Sequence, residues 1–116
     1  MKLNKGGVII AFLAMVVASE AAARELSTSE KEVITQAAKQ QLKDPDSAKF
    51  YWQDYKGGEI YCAHVNAKNS YGGFAGKALL LVGVKTNSKG KVISAEVSIR
   101  SDNMMDEICT ERGYSV

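Results

Sequence analysis

Cys62 and His64 are the residues of this chain whose side chains and spacing could support covalent catalysis. On a β-strand, residues two apart point to the same face, so the imidazole would stand beside the thiol and could activate it as a nucleophile. His64 could also act as a general base with an Asp or Glu partner. A small hydrolase that uses His64 is therefore one hypothesis for this sequence.

The second cysteine, Cys109, favours a different role for Cys62. The two cysteines lack the Cys-x-x-Cys spacing of thiol-redox proteins, and the one histidine has no cluster of further His or Cys with which to hold a metal. In an exported protein, an even pair of cysteines most simply forms a disulfide. We predict a Cys62–Cys109 bond that closes a loop of about fifty residues and contributes about 4 kcal/mol to stability. No metal site and no cofactor are expected.

The stretch from Cys62 to Gly76 is dense in Asn, Gly and aromatic residues, which is typical of a specialised loop between two strands. Its amides can donate and accept hydrogen bonds, its lysine supplies a cation, and its rings can anchor a partner. The alternative is that the amides bond the loop's own backbone while the rings fold back onto the sheet. The predicted binding residues are Asn66, Lys68, Asn69, Tyr71, Gly72, Gly73 and Phe74.

The amino terminus has the three parts of a secretory signal. Lys2 and Lys5 supply the positive start, and Val8 to Ala18 is an unbroken apolar run, shorter than the roughly 20 residues of a membrane-spanning helix. Small residues then favour cleavage after Ala23, or after Ala21. We expect export to the periplasm or beyond, with an uncleaved amino-terminal anchor as the alternative.

Cleavage of a signal peptide spanning residues 1–23 would leave one small domain, residues 24–116, whose modest core benefits from a covalent staple. Removing Lys2, Lys5 and Glu20 from the 15 basic and 13 acidic residues leaves 13 and 12, a net charge of +1. The charges are interspersed, and no basic run could follow a phosphate backbone. The sequence therefore favours neither a nucleic-acid partner nor stable membrane insertion after cleavage.

An amphipathic helix is predicted over Ser29–Lys43. Ser27 and Ser29 each precede a Glu by three residues, the spacing of a capping box, and Pro45 stops the helix because the residue before a proline disfavours helical geometry. The periodicity gives an apolar stripe of Val33, Ile34, Ala37, Ala38 and Leu42, and it places Glu30, Lys31, Gln36, Lys39, Gln40 and Lys43 in water.

From Phe50 the pattern changes to that of β-strands. Phe50–Tyr55 and Glu59–Val65 are predicted to form a hairpin around a tight turn at Gly57-Gly58. The aromatic residues crowded here could line a ligand groove, although a small domain more often fills its core with rings.

The second half of the chain predicts two more strands and a helix. Lys77–Thr86 is a nearly continuous apolar run, typical of a central strand, and Asn87–Gly90 has the composition of a turn. Lys91–Ile99 alternates imperfectly, as in a half-buried strand with a bulge near Ile93. Asp102 or the following Asn can begin a last short helix that ends at Gly113.

Two motifs resemble those of a group of small exported bacterial proteins of mostly uncharacterised function. The first, Leu42 to Phe50, fits Leu-Lys-Asp-Pro-(Asp/Glu)-Ser-Ala-x-Phe, and the second, Cys62 to Gly76, fits Cys-x-x-Val-Asn-Ala-Lys-Asn-x-x-Gly-Gly-(Tyr/Phe)-x-Gly. Ala63 stands where the group tends to have Gly, and His64 occupies a variable position. The resemblance implies an exported domain and no particular activity. It also implies that Asn66, Lys68, Asn69, Gly72 and Gly73 act as a unit.

Together these observations predict an α+β domain in which an amino-terminal helix packs on an antiparallel sheet of about four strands. A short carboxy-terminal helix and one disulfide would close it. The function favoured is a non-enzymatic binding or interaction module of the bacterial envelope, acting on an envelope protein or on cell-wall glycan through loop 66–76. The alternatives are the His64 hydrolase and a purely structural envelope component.

Overall fold

The computed structural model describes residues 23–68, 76–100 and 102–116. In these residues an antiparallel sheet of four strands packs against two α-helices, which confirms the predicted α+β class. The predicted signal peptide lies outside the described residues except for Ala23. The elements are helix α1 (Thr28–Lys39), a 3₁₀ turn (Pro45–Ser47), β1 (Lys49–Tyr51), β2 (Ile60–Asn66), β3 (Ala78–Thr86), β4 (Val92–Arg100) and helix α2 (Asn103–Glu111).

The strands lie in the order β1-β2-β3-β4. The strand register, together with the residues that each helix approaches, places the two helices on opposite faces of the sheet. One face carries the core side chains Ala63 and Leu80, both fully buried, and α1 packs over it with its main contacts to β4. The other face carries Cys62, which is bonded to Cys109 of α2. We call these the α1 face and the α2 face. Because successive strand residues alternate between faces, the register assigns every strand side chain to one of them.

Helix α1 begins with the predicted capping box. Ser27 Oγ accepts the Glu30 N–H at 3.2 Å, and the Glu30 carboxylate accepts the Ser27 N–H at 2.9 Å. The prediction that Glu30 faces water is wrong, because this side chain is only 1% exposed. Its carboxylate also accepts hydrogen bonds from both terminal nitrogens of Arg24, at 2.7 and 2.6 Å, and from the Val92 N–H at 2.7 Å. The neighbouring guanidinium lowers the pKa of Glu30 far below its usual range.

The helix ends earlier than the predicted Lys43, at Lys39. The next amides bond three residues back, with Gln41 N–H to Ala38 O at 3.0 Å, so the last turn tightens and the chain leaves the helix axis. The Gln41 side chain then donates to Val97 O of β4. This contact covers part of an exposed strand edge and brings Leu42 down onto the sheet.

The predicted hairpin exists as an antiparallel pair, but its connection is not a tight turn. Strand β1 ends at Tyr51, and Tyr55 pairs instead with Arg24 through two backbone hydrogen bonds of 3.0 and 2.6 Å. Beyond Tyr51, the buried Tyr61 hydroxyl satisfies the backbone groups of Gln53 in place of strand-to-strand hydrogen bonds. It donates to Gln53 O at 2.7 Å and accepts the Gln53 N–H at 2.9 Å. Burial raises the pKa of Tyr61 to about 12, so this hydroxyl remains a donor at neutral pH.

The second hairpin agrees with its prediction. Asn87 Oδ1 accepts the amides of Lys89 and Lys91 at 2.9 and 3.0 Å, and Gly90 has φ of +81°, which favours glycine. Lys85 pairs with Ser94 while the next residue pairs with Val92, so Ile93 is left unpaired as a bulge.

Helix α2 and the disulfide are also as predicted. Asp102 caps the helix by accepting the Met105 N–H at 2.9 Å. The Cys62–Cys109 bond spans 47 residues, and both cysteines are fully buried. Beyond the helix, the Gln53 side-chain amide exchanges two hydrogen bonds with the backbone of Ser115, at 2.9 and 3.0 Å, and so holds the following segment against the sheet. No described helix has both the length and the apolar character needed to cross a membrane.

Candidate binding groove

The two motifs of the sequence meet at one end of the sheet, although they are far apart in the chain. Ser47, in the 3₁₀ turn, donates its hydroxyl to Asp44 O at 2.7 Å and accepts the Lys68 N–H at 2.8 Å. Directly after this turn, Lys49 of β1 pairs with Asn66 of β2. The first motif therefore forms a wall along the end of β2, fixed by side-chain and backbone hydrogen bonds.

Asn66 closes the base of the loop that follows β2. Its Oδ1 accepts the Gly76 N–H at 3.1 Å, which joins the two ends of the loop. Gly76 has φ of +94°, and a Cβ there would meet no atom within 4 Å, so the backbone conformation rather than crowding explains the glycine. The Asn66 amide oxygen thus bonds its own loop backbone, the alternative that the sequence left open for this residue.

A shallow cavity of about 210 Å³ lies between the end of α1 and this loop base, on the α1 face. Its floor is aliphatic, because the three strands contribute Val65, Ala78 and Ile99 there. Two lysines stand among the lining residues. We call this cavity the basal groove, and its lining is Gln41, Leu42, Lys43, Val65, Ala67, Lys68, Gly76, Ala78 and Ile99.

The basal groove contains only part of the predicted site. Lys68 lines it, and Asn66 holds its edge through Gly76. Asn69, Tyr71, Gly72, Gly73 and Phe74 lie outside the described residues. Sequence reasoning missed the aliphatic floor, because its residues were predicted as strand residues and not as binding residues. The available signals were the two motifs, since Leu42-Lys43 of the first and Val65, Ala67 and Lys68 of the second line the groove.

The catalytic pair considered from the sequence is not a thiol and an imidazole in this structure. The sulfur of Cys62 is bonded to Cys109, so it is not a free nucleophile. His64 is half-buried on β2, opposite Tyr51 and Leu79, and strand alternation places its side chain on the α2 face. His64 and the basal groove are therefore on opposite faces of the sheet. Within the described ranges, no three His, Cys, Asp or Glu side chains gather to hold a metal ion.

Comparison with known proteins assigns no family to this arrangement. The chain matches no protein-family model, no curated protein and no solved structure. What the basal groove could bind is therefore inferred from its own residues, which form an aliphatic floor and include two lysines.

Proposed function

We propose that this protein is an exported, non-enzymatic binding module of the bacterial envelope, and that the basal groove at the foot of loop 66–76 is its interaction surface. The observation that carries the proposal is the junction between the two motifs. Ser47 and Lys68, 21 residues apart, are joined by a 2.8 Å hydrogen bond beside an open aliphatic cavity. Hydrogen bonds that hold the walls of a surface cavity reduce the ordering cost of binding.

Export is supported by the buried disulfide, since such bonds persist in oxidising compartments such as the periplasm or the cell exterior. The predicted signal peptide points to the same compartments. The partner we propose is an envelope protein or cell-wall glycan, because these are the macromolecules that an exported bacterial domain meets.

Binding through the groove is tested by crosslinking capture from envelope extract with the oxidised mature protein. Ala67→Phe adds a ring to the groove lining and should abolish capture of a specific partner. The matched control is Ser94→Phe, which adds the same ring to a cavity at the other end of the sheet, on the α2 face. Both variants are first shown to unfold at the same urea concentration as the parent.

Capture that Ala67→Phe abolishes and Ser94→Phe retains would support the proposal. Capture that survives Ala67→Phe, or no specific capture by the parent protein, would refute it. His64→Ala provides a further arm, because a binding module of this kind should retain its partner when that imidazole is removed from the opposite face.

A further inference from the structure

The described residues that line the basal groove carry charge of one sign. Among them Lys43 and Lys68 are the charged side chains, and none of these described residues has a carboxylate. The cavity at the other end of the sheet has the reverse balance, being lined by Glu59, Glu96 and Lys85. A ligand that carries negative charge would therefore be favoured at the basal groove and disfavoured at the other cavity.

Two further lysines at this end of the sheet, Lys49 and Lys77, do not line the groove. Lys49 pairs with Asn66, and Lys77 has its Nζ 4.0 Å from the centre of the Tyr51 ring, so strand alternation places both on the α2 face. Asp44 and Asp46, in and beside the 3₁₀ turn, do not line the groove either. The stems of Lys43 and Lys68 can extend the apolar wall of the groove while their ammonium groups stay in water.

The size of the groove favours one side chain of a larger partner over a whole small molecule. Its volume of about 210 Å³ is below the roughly 300–1,000 Å³ of typical small-molecule sites. Its floor is aliphatic, and Leu42 and Ala67 also line it, so it can accept an aliphatic side chain without leaving a polar group unpaired. Protein interfaces commonly use such a small apolar pocket for an anchor residue, surrounded by polar or charged contacts.

We infer that the basal groove binds an acidic peptide segment, with an aliphatic side chain on the floor and flanking carboxylates beside Lys43 and Lys68. The inference rests on the proposed function and gives its partner a chemical class, a protein segment rather than a glycan. Charge complementarity should make the association fast and dependent on salt concentration. Burial of the apolar surface of the aliphatic side chain should stabilise the complex.

The test is a selection from a displayed library of random peptides, performed on the oxidised mature protein. The double variant Lys43→Glu, Lys68→Glu reverses the charge of the groove, and Lys85→Glu, Lys89→Glu applies the same change of charge at the other end of the sheet. The parent and the control should both enrich peptides in which Leu, Ile or Val is flanked by Asp or Glu. The groove variant should lose these peptides, with at least a tenfold drop in affinity.

The enriched peptide is then synthesised and titrated into isotope-labelled protein. The largest amide shifts are expected at Val65–Lys68 and Gly76–Ala78. Enrichment of neutral or basic peptides, equal binding by the groove variant, or shifts confined to the α2 face would overturn the inference. So would binding of soluble peptidoglycan fragments that Ala67→Phe abolishes, which would make glycan the ligand. A self-association in sedimentation experiments that Ala67→Phe abolishes would make a second copy of the chain the occupant.

These outcomes separate the inference from the function on which it rests. If Ala67→Phe abolishes capture from envelope extract but no acidic peptide is selected, the groove binds a partner of other chemistry and only the inference fails. If Ala67→Phe leaves capture unchanged, the proposed function fails as well.

Discussion

Replacing Glu30 by Gln tests whether one buried carboxylate joins the start of the domain to β4. The carboxylate accepts four hydrogen bonds, and the backbone N–H of Glu30 donates a fifth to Ser27 Oγ in the capping box. Each oxygen receives two N–H groups, since Oε1 accepts from Arg24 Nη1 and Ser27 N, while Oε2 accepts from Arg24 Nη2 and Val92 N. Gln keeps one such oxygen and puts an NH₂ donor in place of the other.

The expected loss of stability in Glu30→Gln depends on which N–H donors lose their acceptor. If the Gln oxygen keeps the contacts of Oε1, then Arg24 Nη2 and the Val92 N–H are the donors left facing the new NH₂ group. The Arg24 side chain is 41% exposed and can turn to water, whereas the hydrogen bond to the Val92 amide is buried. One unsatisfied buried amide costs about 1–3 kcal/mol, and we expect Glu30→Gln to lower the free energy of unfolding by that amount at pH 7.

The stability difference between the parent and Glu30→Gln should also depend on pH. The pKa of Glu30 is lowered in the folded state, chiefly by its hydrogen bonds with Arg24, so the carboxylate contributes stability above its unfolded pKa of about 4.3. That contribution is lost progressively as the pH falls below this value toward the depressed folded pKa. The difference between the parent and Glu30→Gln should therefore be larger at pH 7 than at pH 3.

Urea unfolding followed by circular dichroism, with the disulfide intact, measures both quantities. Glu32→Gln is the matched control, because Glu32 is exposed on the same helix and its carboxylate accepts a hydrogen bond from Gln36 at 3.1 Å. We expect the control to change stability by less than about 0.5 kcal/mol. Equal stabilities of the parent and Glu30→Gln at pH 7, or a difference that does not shrink at pH 3, would refute the reasoning.

Three further predictions concern the Cys62–Cys109 disulfide, the Ser47 hydrogen bond at the groove and His64. Unreduced mature protein should show no alkylatable thiol by mass spectrometry, and two reactive thiols in protein from an oxidising compartment would contradict the disulfide. The Cys62→Ala, Cys109→Ala variant should lose about 4 kcal/mol of stability in urea, as expected for a closed loop of 47 residues. Ser47→Ala should cost about 1 kcal/mol and speed hydrogen exchange of the Lys68 amide, and unchanged exchange would show that their hydrogen bond is not formed in solution. His64→Ala should leave groove binding within twofold of the parent in a peptide titration, and a larger loss would place the imidazole at the binding surface.

Local signals predicted much of the fold. The capping spacing at Ser27 indicated the start of α1, and the long apolar run identified β3 as a central strand. The even pair of cysteines predicted the disulfide that ties α2 to β2. The bulge at Ile93 was also indicated by the sequence, because the alternation of apolar and polar residues in β4 is interrupted there. These features depend on residues that are close in the sequence or on pairings with only one possible partner.

Features that depend on distant partners could not be predicted in the same way. A Glu at the third position of a helix ordinarily faces water, and only the approach of Arg24 and Val92 makes burial of Glu30 favourable. Likewise, the sequence suggested a tight hairpin at Gly57-Gly58, whereas the hydroxyl of Tyr61 takes over the backbone groups of Gln53. Each outcome was decided by a hydrogen-bond partner that local patterns do not specify.

The candidate site was predicted in part for the same reason. The second motif pointed to Asn66 and Lys68, but its companion wall comes from Ser47 and Leu42, which precede β1. The aliphatic floor appears only when β2, β3 and β4 align at the same end of the sheet. A groove assembled from four chain segments has no continuous signature in the sequence.

The most direct test of binding through the basal groove is to map the site of the partner captured from envelope extract. Isotope-labelled protein would be titrated with that partner and its amide shifts recorded, with Ala67→Phe as the blocked reference. We predict that the largest shifts fall at Lys43, Val65–Lys68 and Gly76–Ala78, and that they vanish in the blocked variant. Shifts centred on His64 and α2, or shifts that Ala67→Phe leaves unchanged, would contradict this account.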